Sequence, residues 1–321
     1  MKVGIFTVLY NDLPLEKVLQ YISSIGYEAV ELAAWKGSNH LDVERVISGG
    51  GNEYRSLVKK YNLTISSLST HLEGQLILGP HDSSTDDWFK GSPEEKQRYG
   101  IDRMKRAIEA ASSLEVPVVN SFTGVPEWGK WYVFPPKNEE IFESYFKLFS
   151  EKWSPILDYA KDHAVKIAFE THPQELNYNL DTAKSLLKSV NDHQALGFNY
   201  DPSHLVWQQM DPVQFIYEVG QRIYHVHAKD VEVVPHSASR TGVLVTGPWN
   251  KVARAVRFRT VGWGNVPWNR VVTALLEVGY DYVMSVEHED PCFSRNSGVE
   301  LAVKFLKPLL AAQPPEVKPW W

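Results

Sequence analysis

Two hydrophobic patterns alternate along the whole chain. Short runs rich in β-branched residues and apolar on both faces predict β-strands, and longer stretches with an apolar stripe near a period of 3.6 residues predict helices between them. The predicted strands are residues 2–10, 29–33, 63–69, 116–122, 165–170, 195–200, 223–228 and 282–287. The predicted helices are residues 15–26, 99–114, 141–163, 181–190, 271–279 and 298–310.

This alternation favours a parallel sheet with crossover helices, and eight such units favour a (β/α)8 TIM barrel of the α/β class. A doubly wound open sheet is the competing architecture. It normally carries a glycine-rich first turn, whereas strand one is followed here by YNDLPLEK, which has no glycine. We expect one barrel domain over residues 1–312 and a C-terminal tail over residues 313–321.

Glycine–tyrosine pairs follow two of the predicted helices, in SSIGYEAVEL (23–32) and LEVGYDYVMSVE (276–287). Each glycine predicts a left-handed helix cap, and each tyrosine is expected to pack beneath the barrel. The proline-rich end of the chain, AAQPPEVKPWW (311–321), is expected to dock on the body or on a neighbouring subunit because exposed apolar surface usually marks a contact.

Two segments are longer than a barrel needs. Residues 71–92 follow strand three and residues 229–262 follow strand seven, both at the strand ends where barrel enzymes build their sites. We predict that these loops act as lids or substrate walls, with a tolerated surface insertion as the alternative.

Composition narrows the class of protein. The 321 residues are 43% hydrophobic and 22% charged, with a formal net charge of −6. An acidic balance without a basic stripe argues against a nucleic-acid or anionic-membrane partner and favours a small substrate. The single cysteine, Cys292, the lack of a secretory pattern at the N-terminus and the absence of an apolar run near roughly 18 residues predict a soluble, cytoplasmic protein.

Four consecutive predicted strands end on a potential metal ligand. Strands five to eight end on Glu170, Asp201, His227 and Glu287, and in a barrel these ends sit side by side on one rim. Each residue alone is more often a helix cap, a surface group or a core histidine, but three buried carboxylates without a cation would repel one another. The set predicts a divalent ion, with Mn²⁺ as first choice and Mg²⁺, Co²⁺ or Zn²⁺ as alternatives.

The segment IYHVHAKD (223–230) offers two histidines on the same side of a strand. We assign the ligand role to His227, which is nearer the strand's C-terminal end, and expect His225 one layer deeper. Lys229 and Asp230 follow at the rim, where they would orient ligand or substrate or form a solvated salt bridge.

Five segments of the chain resemble the xylose-isomerase-like sugar phosphate isomerase/epimerase family. They are FETHP (169–173), YDPSHL (200–205), HVHAKD (225–230), residues 257–291 and SRNSGVELAVKFLKPLL (294–310). The family includes ketose 3-epimerases and inosose dehydratases, and endonuclease IV is a distant relative on the same barrel. The resemblance covers essentially the whole chain and is specific for fold and metal site but not for substrate.

In that family the ligands come from the ends of strands five to eight. The resemblance therefore implies that the ion is held by Glu170, Asp201, His227 and Glu287, and that His204, in the D-x-x-H motif, contacts the substrate. The turn after Pro202 would bring His204 over the same pocket.

A divalent ion at this rim predicts proton abstraction next to a carbonyl, followed by an enediolate. Glu170 and Glu287, on opposite faces of that intermediate, would act as base and acid. Return of the proton to the opposite face gives epimerisation, and return to the adjacent carbon gives aldose–ketose isomerisation. Loss of a β-substituent would instead give an inosose-type dehydratase or an eliminating deglycosidase.

Four further residues are predicted around the pocket as substrate contacts. Trp35 and His71 follow strands two and three, where an aromatic face could stack on a sugar or only pack a lid. His172 is expected as a substrate contact, a supporting group or a solvated residue. Arg295 could fork onto a substrate oxygen, or form a surface salt bridge.

The preferred substrate is an unphosphorylated keto-sugar, keto-cyclitol or oxidised glycoside, because the basic residues after strand seven do not form a glycine-rich phosphate cradle. An endonuclease-like role would need more ligating histidines and a basic groove. Two assembly states stay as alternatives: a subunit that acts only with a partner chain, and a homo-oligomer.

Overall fold

Eight parallel strands close into a barrel in the computed structural model, which describes residues 1–128 and 139–310. The barrel strands are β1 (Lys2–Phe6), β2 (Ala29–Ala33), β3 (Thr64–Ser69), β4 (Val118–Ser121), β5 (Lys166–Glu170), β6 (Leu196–Tyr200), β7 (Ile223–Ala228) and β10 (Val283–Val286). Their order around the barrel is β1-β10-β7-β6-β5-β4-β3-β2, and every neighbouring pair is parallel. The prediction of a TIM barrel is confirmed.

Helices connect the strands and cover the barrel. They are α1 (Leu15–Ser24), α2 (Val43–Arg45), α3 (Gly51–Lys60), α4 (His71–Leu78), α5 (Pro93–Ser113), α6 (Glu139–Asp162), α7 (Leu180–Ser189), α8 (Pro202–Trp207), α9 (Pro212–Val219), α10 (Pro235–Thr241), α11 (Trp268–Glu277) and α12 (Arg295–Leu310). Shorter helical turns cover Thr7–Tyr10, Val46–Gly50, Ser83–Thr85 and Gly220–Arg222. One large apolar core lies between this layer and the strands. In the described part of the chain, no helix is long and apolar enough to cross a membrane.

The two glycine–tyrosine junctions behave as predicted. Gly26 and Gly279 follow α1 and α11 with φ of 107° and 83°, a region that favours glycine. Tyr27 and Tyr280 are both buried, and the hydroxyl of Tyr27 donates to the carbonyl of Val299 at 2.8 Å. These caps fix where the chain leaves a helix and re-enters the barrel.

The segment 71–92 is not the long loop that the sequence predicted, because its first eight residues form α4. Nearly every residue of α4 is buried, so the helix has no apolar stripe of period 3.6 that would reveal it. Helix α5 also starts earlier than expected, at Pro93. A capping box explains that start: Ser92 accepts from the amide of Glu95, and the Glu95 carboxylate accepts from the amide of Ser92.

The segment 229–262 is also more ordered than the predicted loop. It contains an antiparallel hairpin of β8 (Asp230–Val233) and β9 (Val256–Arg259), with α10 between the two strands. The hairpin has a small apolar core of its own, separate from the barrel core, which packs against α8. Its members are Val231, Val256 and Phe258, with Val206, Trp207 and Val243 packed against them.

Two buried carboxylates, those of Asp230 and Asp290, tie this hairpin to the barrel, and the amide of Thr260 donates to Asp290 Oδ2 at 2.7 Å. The carboxylate of Asp230 makes the larger number of contacts. Its Oδ1 accepts from the amides of Val231 and Val266 at 2.9 and 3.1 Å. Its Oδ2 accepts from the amide of Gly262 at 2.9 Å and from the indole of Trp268 at 2.8 Å. Asp230 therefore holds both ends of the insertion against α11. The predicted tail, residues 313–321 with Trp320 and Trp321, lies outside the described residues.

Candidate metal centre and substrate cavity

The four residues predicted at the strand ends converge on one rim of the barrel. Glu170 is the last residue of β5, Asp201 and Glu287 directly follow β6 and β10, and His227 is the last residue but one of β7. One ligand atom from each lies within 4.8 Å of the ligand atoms of the other three. The barrel therefore forms a buried histidine and carboxylate cluster that could bind a metal ion.

The helix α8 explains why the chain leaves β6 on a carboxylate. Asp201 is the N-cap of α8, and its Oδ1 accepts from the amide of Ser203 at 2.8 Å. Pro202 occupies the first helical position, where its missing N–H costs nothing. The first turn then carries His204 over the cluster, with its Nε2 at 3.1 Å from Glu170 Oε1 and 3.4 Å from Asp201 Oδ2.

Among the residues that the structure describes, three buried polar atoms at the centre of the cluster have charged neighbours within 3.4 Å but form no hydrogen bond of good geometry. They are Asp201 Oδ2, His227 Nδ1 and His204 Nε2. Buried polar atoms in proteins are normally satisfied, so these atoms point to a ligand. Two or three carboxylates with one imidazole suit a divalent ion of intermediate hardness, and the donor set fits such an ion.

Glu31, which the sequence reasoning missed, orients the histidine of the cluster. This fully buried carboxylate of β2 lies 3.1 and 3.2 Å from His227 Nε2. It also accepts from Ser285 Oγ at 2.9 Å and from Asn120 Nδ2 at 2.8 Å. Because Glu31 holds a proton on Nε2, it is Nδ1, facing Glu170 and Glu287, that would give up its proton when an ion binds.

The charges of the cluster depend on one another. Burial alone would raise the pKa of Glu170, but the charge of His227 and hydrogen bonds from His204, His227 and His71 hold it well below its usual range. Burial would likewise lower the pKa of His227, but Glu31, Glu170 and Glu287 raise it well above its usual range. Glu170 is therefore ionised, and its charge favours a cation at the centre of the site.

Lys229 supplies part of that positive charge. Its Nζ lies 2.7 Å from Glu287 Oε2, 3.3 Å from Asp201 Oδ2 and 3.4 Å from Glu289 Oε2, and the side chain is buried. Burial would lower the pKa of Lys229, but Glu287, Glu289 and Asp201 raise it well above its usual range. The expected alternative of a solvated salt bridge is wrong, because the ammonium lies inside the carboxylate cluster.

His225 lies deeper in the barrel than His227, as its position in the strand predicts. Its Nδ1 is 3.0 Å from Asn199 Oδ1, and its Nε2 is 3.1 Å from Ser67 Oγ. Burial lowers its pKa to about 4, so the ring is neutral near pH 7. Both ring nitrogens are engaged by neutral groups, which gives His225 a packing role in the barrel interior.

A cavity of about 1060 Å³ opens directly above the cluster. Its lining includes Glu170 and Glu287 together with four of the five predicted substrate contacts, which are Trp35, His71, His172 and His204. His71 is fixed between Ser69 Oγ and Glu170 Oε2, with its ring edge-on to Phe122 at 4.6 Å. The cluster is therefore open to the cavity, and a bound molecule could contact both.

Arg295 is the exception, and its prediction as a substrate contact is not borne out by its position. It is the first residue of α12 and is absent from the cavity lining. Its guanidinium pairs with Asp12, donates to the carbonyl of Leu9 and lies over the ring of Tyr10. The alternative of a surface salt bridge is the correct one, because the start of α12 faces the connection between β1 and α1.

Comparison with protein families gives a match over most of the chain. Residues 19–309 match the family model described as xylose isomerase-like TIM barrel. An uncharacterized protein of Bacillus subtilis, YfiH, is 27% identical, covering 96% of this chain and 98% of that protein. Fructoselysine 3-epimerase of Shigella flexneri is 22% identical, covering 89% of this chain and 90% of that enzyme. An inosose dehydratase of Clostridium botulinum is 26% identical over 51% of this chain and 56% of that enzyme.

Solved structures share the fold. The IOLI protein with a binding zinc atom superposes with a TM-score of 0.69 at 18% identity, covering 97% of this chain and 98% of the other. A D-tagatose 3-epimerase-like protein superposes with a TM-score of 0.67 at 20% identity, covering 97% of each chain. At these identities the likeness extends to the barrel architecture alone.

Proposed function

Since the chain belongs to the xylose isomerase-like TIM barrel family, we propose that it is a divalent-metal-dependent isomerase or epimerase of a keto-sugar or keto-cyclitol. The observation that carries the proposal is the convergence of four ligand atoms within 4.8 Å beneath a large cavity. Relatives named fructoselysine 3-epimerase and inosose dehydratase support a sugar or cyclitol as the substrate. A cytoplasmic location stays a prediction from the sequence.

We assign the ion to Glu170, Asp201, His227 and Glu287, the residues that supply the clustered ligand atoms. A divalent ion there supplies Lewis-acid polarisation of a substrate carbonyl. Manganese is our first choice, and the zinc named for the IOLI protein makes zinc a direct alternative. In this scheme Glu31 fixes the ring of His227 so that its Nδ1 faces the centre.

Glu170 and Glu287 are the proposed base and acid. Both line the cavity, and neighbouring cationic groups hold the pKa of each carboxyl well below its usual range against the opposing effect of burial. One ionised carboxylate can take the proton from the carbon next to the carbonyl. The other returns a proton to the opposite face after it has itself been protonated, for which Lys229 lies 2.7 Å from Glu287 Oε2. His204, 3.1 Å from Glu170, is placed to donate a hydrogen bond to a substrate oxygen, with His71, His172 and Trp35 as further contacts.

The proposal is tested by hydrogen exchange with the solvent. Keto-sugars and inososes are incubated with the metal-loaded protein in deuterium oxide, and deuterium uptake at carbon is followed by NMR. We expect uptake in the wild type and its loss in Glu170→Gln and Glu287→Gln, with about one ion per chain retained by mass spectrometry. Unchanged uptake in both variants would refute the assigned roles.

Elimination is a second candidate, favoured by the position of Lys229. Its buried ammonium lies 2.7 Å from Glu287 Oε2, so a proton donor stands beside the proposed base. Such a donor could protonate a leaving hydroxyl or alkoxide from the intermediate, and the relative named inosose dehydratase supports this chemistry.

The two reactions give different products. Epimerisation or isomerisation conserves the mass of the substrate, whereas elimination releases water or an alcohol and leaves an unsaturated ketone. Mass spectrometry of the products distinguishes them. Loss of elimination in Lys229→Met, with deuterium uptake retained, would assign Lys229 as the proton donor.

A further inference from the structure

The cavity is larger than a monosaccharide requires. Its volume of about 1060 Å³ slightly exceeds the roughly 300–1,000 Å³ typical of pockets for drug-sized ligands. The polar groups gather at its floor, where the metal cluster lies. Most of the remaining lining is apolar, and much of it comes from the insertion between β7 and α11. A sugar ring bound at the floor would leave the apolar upper part of the cavity unfilled.

Three aromatic side chains form one side of that space, which we call the aromatic shelf: Trp207, Trp249 and Phe258. The rings of Trp249 and Phe258 are stacked, with centroids 5.0 Å apart and planes 21° from parallel. Trp249 nevertheless remains 53% exposed, and its neighbour Leu244 is 57% exposed. Apolar side chains left open beside a polar centre are typical of a ligand-binding surface.

The shelf is held in place by the fold. Arg254 lies with its guanidinium 3.9 Å from the ring of Trp249 and donates to the carbonyls of Gly247 and Val245. Phe258 belongs to the separate core of the hairpin, which packs on α8. Phe258 and Arg254 cover the two faces of the Trp249 indole, so a supported loop presents the open edge of the ring to the cavity.

The shelf also begins where the floor ends. The ring of Phe258 is edge-on to His204 at 5.8 Å and lies 4.9 Å from Lys229 Nζ. A substituent attached to a sugar on the floor would therefore pass directly onto the shelf. An apolar ring can meet the exposed edge of Trp249 in an edge-to-face contact, and it fits the apolar lining better than a second polyhydroxylated ring.

We propose that the aromatic shelf binds an apolar, ring-bearing group carried by the sugar, so that the substrate class is a keto-glycoside with an aryl or similar aglycone. The proposal rests on the proposed function for the position of the sugar. The binding energy of the aglycone comes from the hairpin and does not require the ion.

The test compares phenyl β-D-glucoside with methyl β-D-glucoside by isothermal titration calorimetry on the full chain, metal-loaded and chelated. Neither probe has a carbonyl next to a removable hydrogen, so binding is measured without turnover. We expect the phenyl compound to bind about tenfold more tightly, with or without the ion. Trp249→Ala should remove most of that difference, and Trp249→Phe should restore part of it.

Trp263→Ala is the matched control. Trp263 is also 53% exposed but packs against Phe293 and is absent from the cavity lining. It should keep the tenfold preference. Equal binding of the two glucosides by the wild type, or the same preference in Trp249→Ala, would overturn the proposal. So would loss of concentration-dependent self-association in Trp249→Ala with the preference unchanged, because the shelf would then be an interface between copies.

The outcomes are separable from those of the proposed function. Absence of deuterium uptake with all keto-sugars would remove the enediolate chemistry and leave the phenyl preference intact. Deuterium uptake without a preference for the phenyl glucoside would contradict the proposed role of the aromatic shelf and would support the enediolate chemistry.

Discussion

The floor of the cavity and its wall are built in opposite ways. The floor consists of buried charges at the ends of barrel strands, where parallel register fixes the position of every residue. The wall is largely apolar and belongs to a hairpin with a core of its own. The proposed chemistry therefore depends on the barrel itself, whereas the insertion sets the shape of the molecule that can reach the cluster.

The two regions also differ in how they are supported. On the floor, two ligands are held from the side away from the centre, His227 by Glu31 and Asp201 by the amide of Ser203. The wall depends mainly on the carboxylate of Asp230, which accepts four hydrogen bonds. Changes to the floor should therefore alter reactivity, and changes to Asp230 should alter stability.

Breaking the floor should have the largest effect. In Asp201→Asn, the amide can still cap α8, but the charge at the ligand position is lost. We expect loss of the bound ion and a fall in kcat/KM of roughly 1000-fold. Metal analysis and steady-state kinetics measure the two effects.

The chain offers a close control in Asp211→Asn. Asp211 also caps a helix that begins with proline, accepting from the amide of Val213 at 2.9 Å, but it is exposed. This variant should retain metal and activity. An equal loss in both variants would mean that helix capping, and not metal binding, makes Asp201 important.

Breaking the anchor of the wall should cost stability. In Asp230→Asn, the new NH2 group would face either the amide of Gly262 and the indole of Trp268 or the other pair of donors. We expect a loss of about 3 kcal/mol in the free energy of unfolding, measured by urea denaturation. Glu232→Gln, in the same strand but only half-buried, should change it little. A large fall in metal affinity in Asp230→Asn would contradict the conclusion that floor and wall are supported independently.

The support of the floor can be tested without touching a proposed ligand. Glu31→Gln keeps the size of the side chain but removes the charge opposite His227. We expect metal affinity to fall about 10- to 100-fold, by competition with a chelator, while the fold is retained. Glu28→Gln is the control, because Glu28 lies just before β2 and accepts only from the amide of Val3 at the far end of the barrel. If the metal affinity of Glu31→Gln matched that of the wild type, groups other than Glu31 would have to orient His227.

The smallest effect should come from the loops between these regions. Burial raises the pKa of Glu175 from 4.5 to about 8, although the amide of Gly124 and the hydroxyl of Thr123 donate to it. A raised carboxyl pKa contributes stability that is present below pH 4.5 and is lost as the pH rises through about 8. Between pH 7 and 9 the wild type should lose about 1.4 kcal/mol of unfolding free energy that Glu175→Gln does not lose. Parallel profiles for the two proteins would contradict the raised pKa.

The barrel and the positions of its rim residues could be predicted because they follow from topology. Consecutive strands of a barrel end on the same rim, so Glu170, Asp201 and His227 had to meet once the strands were assigned. The strands themselves could be assigned because their apolar runs are strong enough to be recognised from the sequence alone. The same logic placed His204 over the site, because Pro202 begins a helix at that point.

Other features could not be predicted because they depend on contacts between distant parts of the chain. Glu31 sits in the apolar run AVELA, and the only signal was a charge inside a buried strand. The strand β9, with the sequence VRFR, is too short and too basic to stand out from a loop. Arg295 was misplaced because its distance in sequence from Glu287 says nothing about the direction in which α12 begins.

The separate core of the hairpin has a consequence for how such proteins diverge over time. Substitutions at residues 244–254 should leave the strands that carry the clustered charges undisturbed, because Val231, Val256 and Phe258 alone form the buried core of the hairpin. Proteins that descend from one ancestor can therefore come to differ in the shape of the molecule they admit while they keep the same rim.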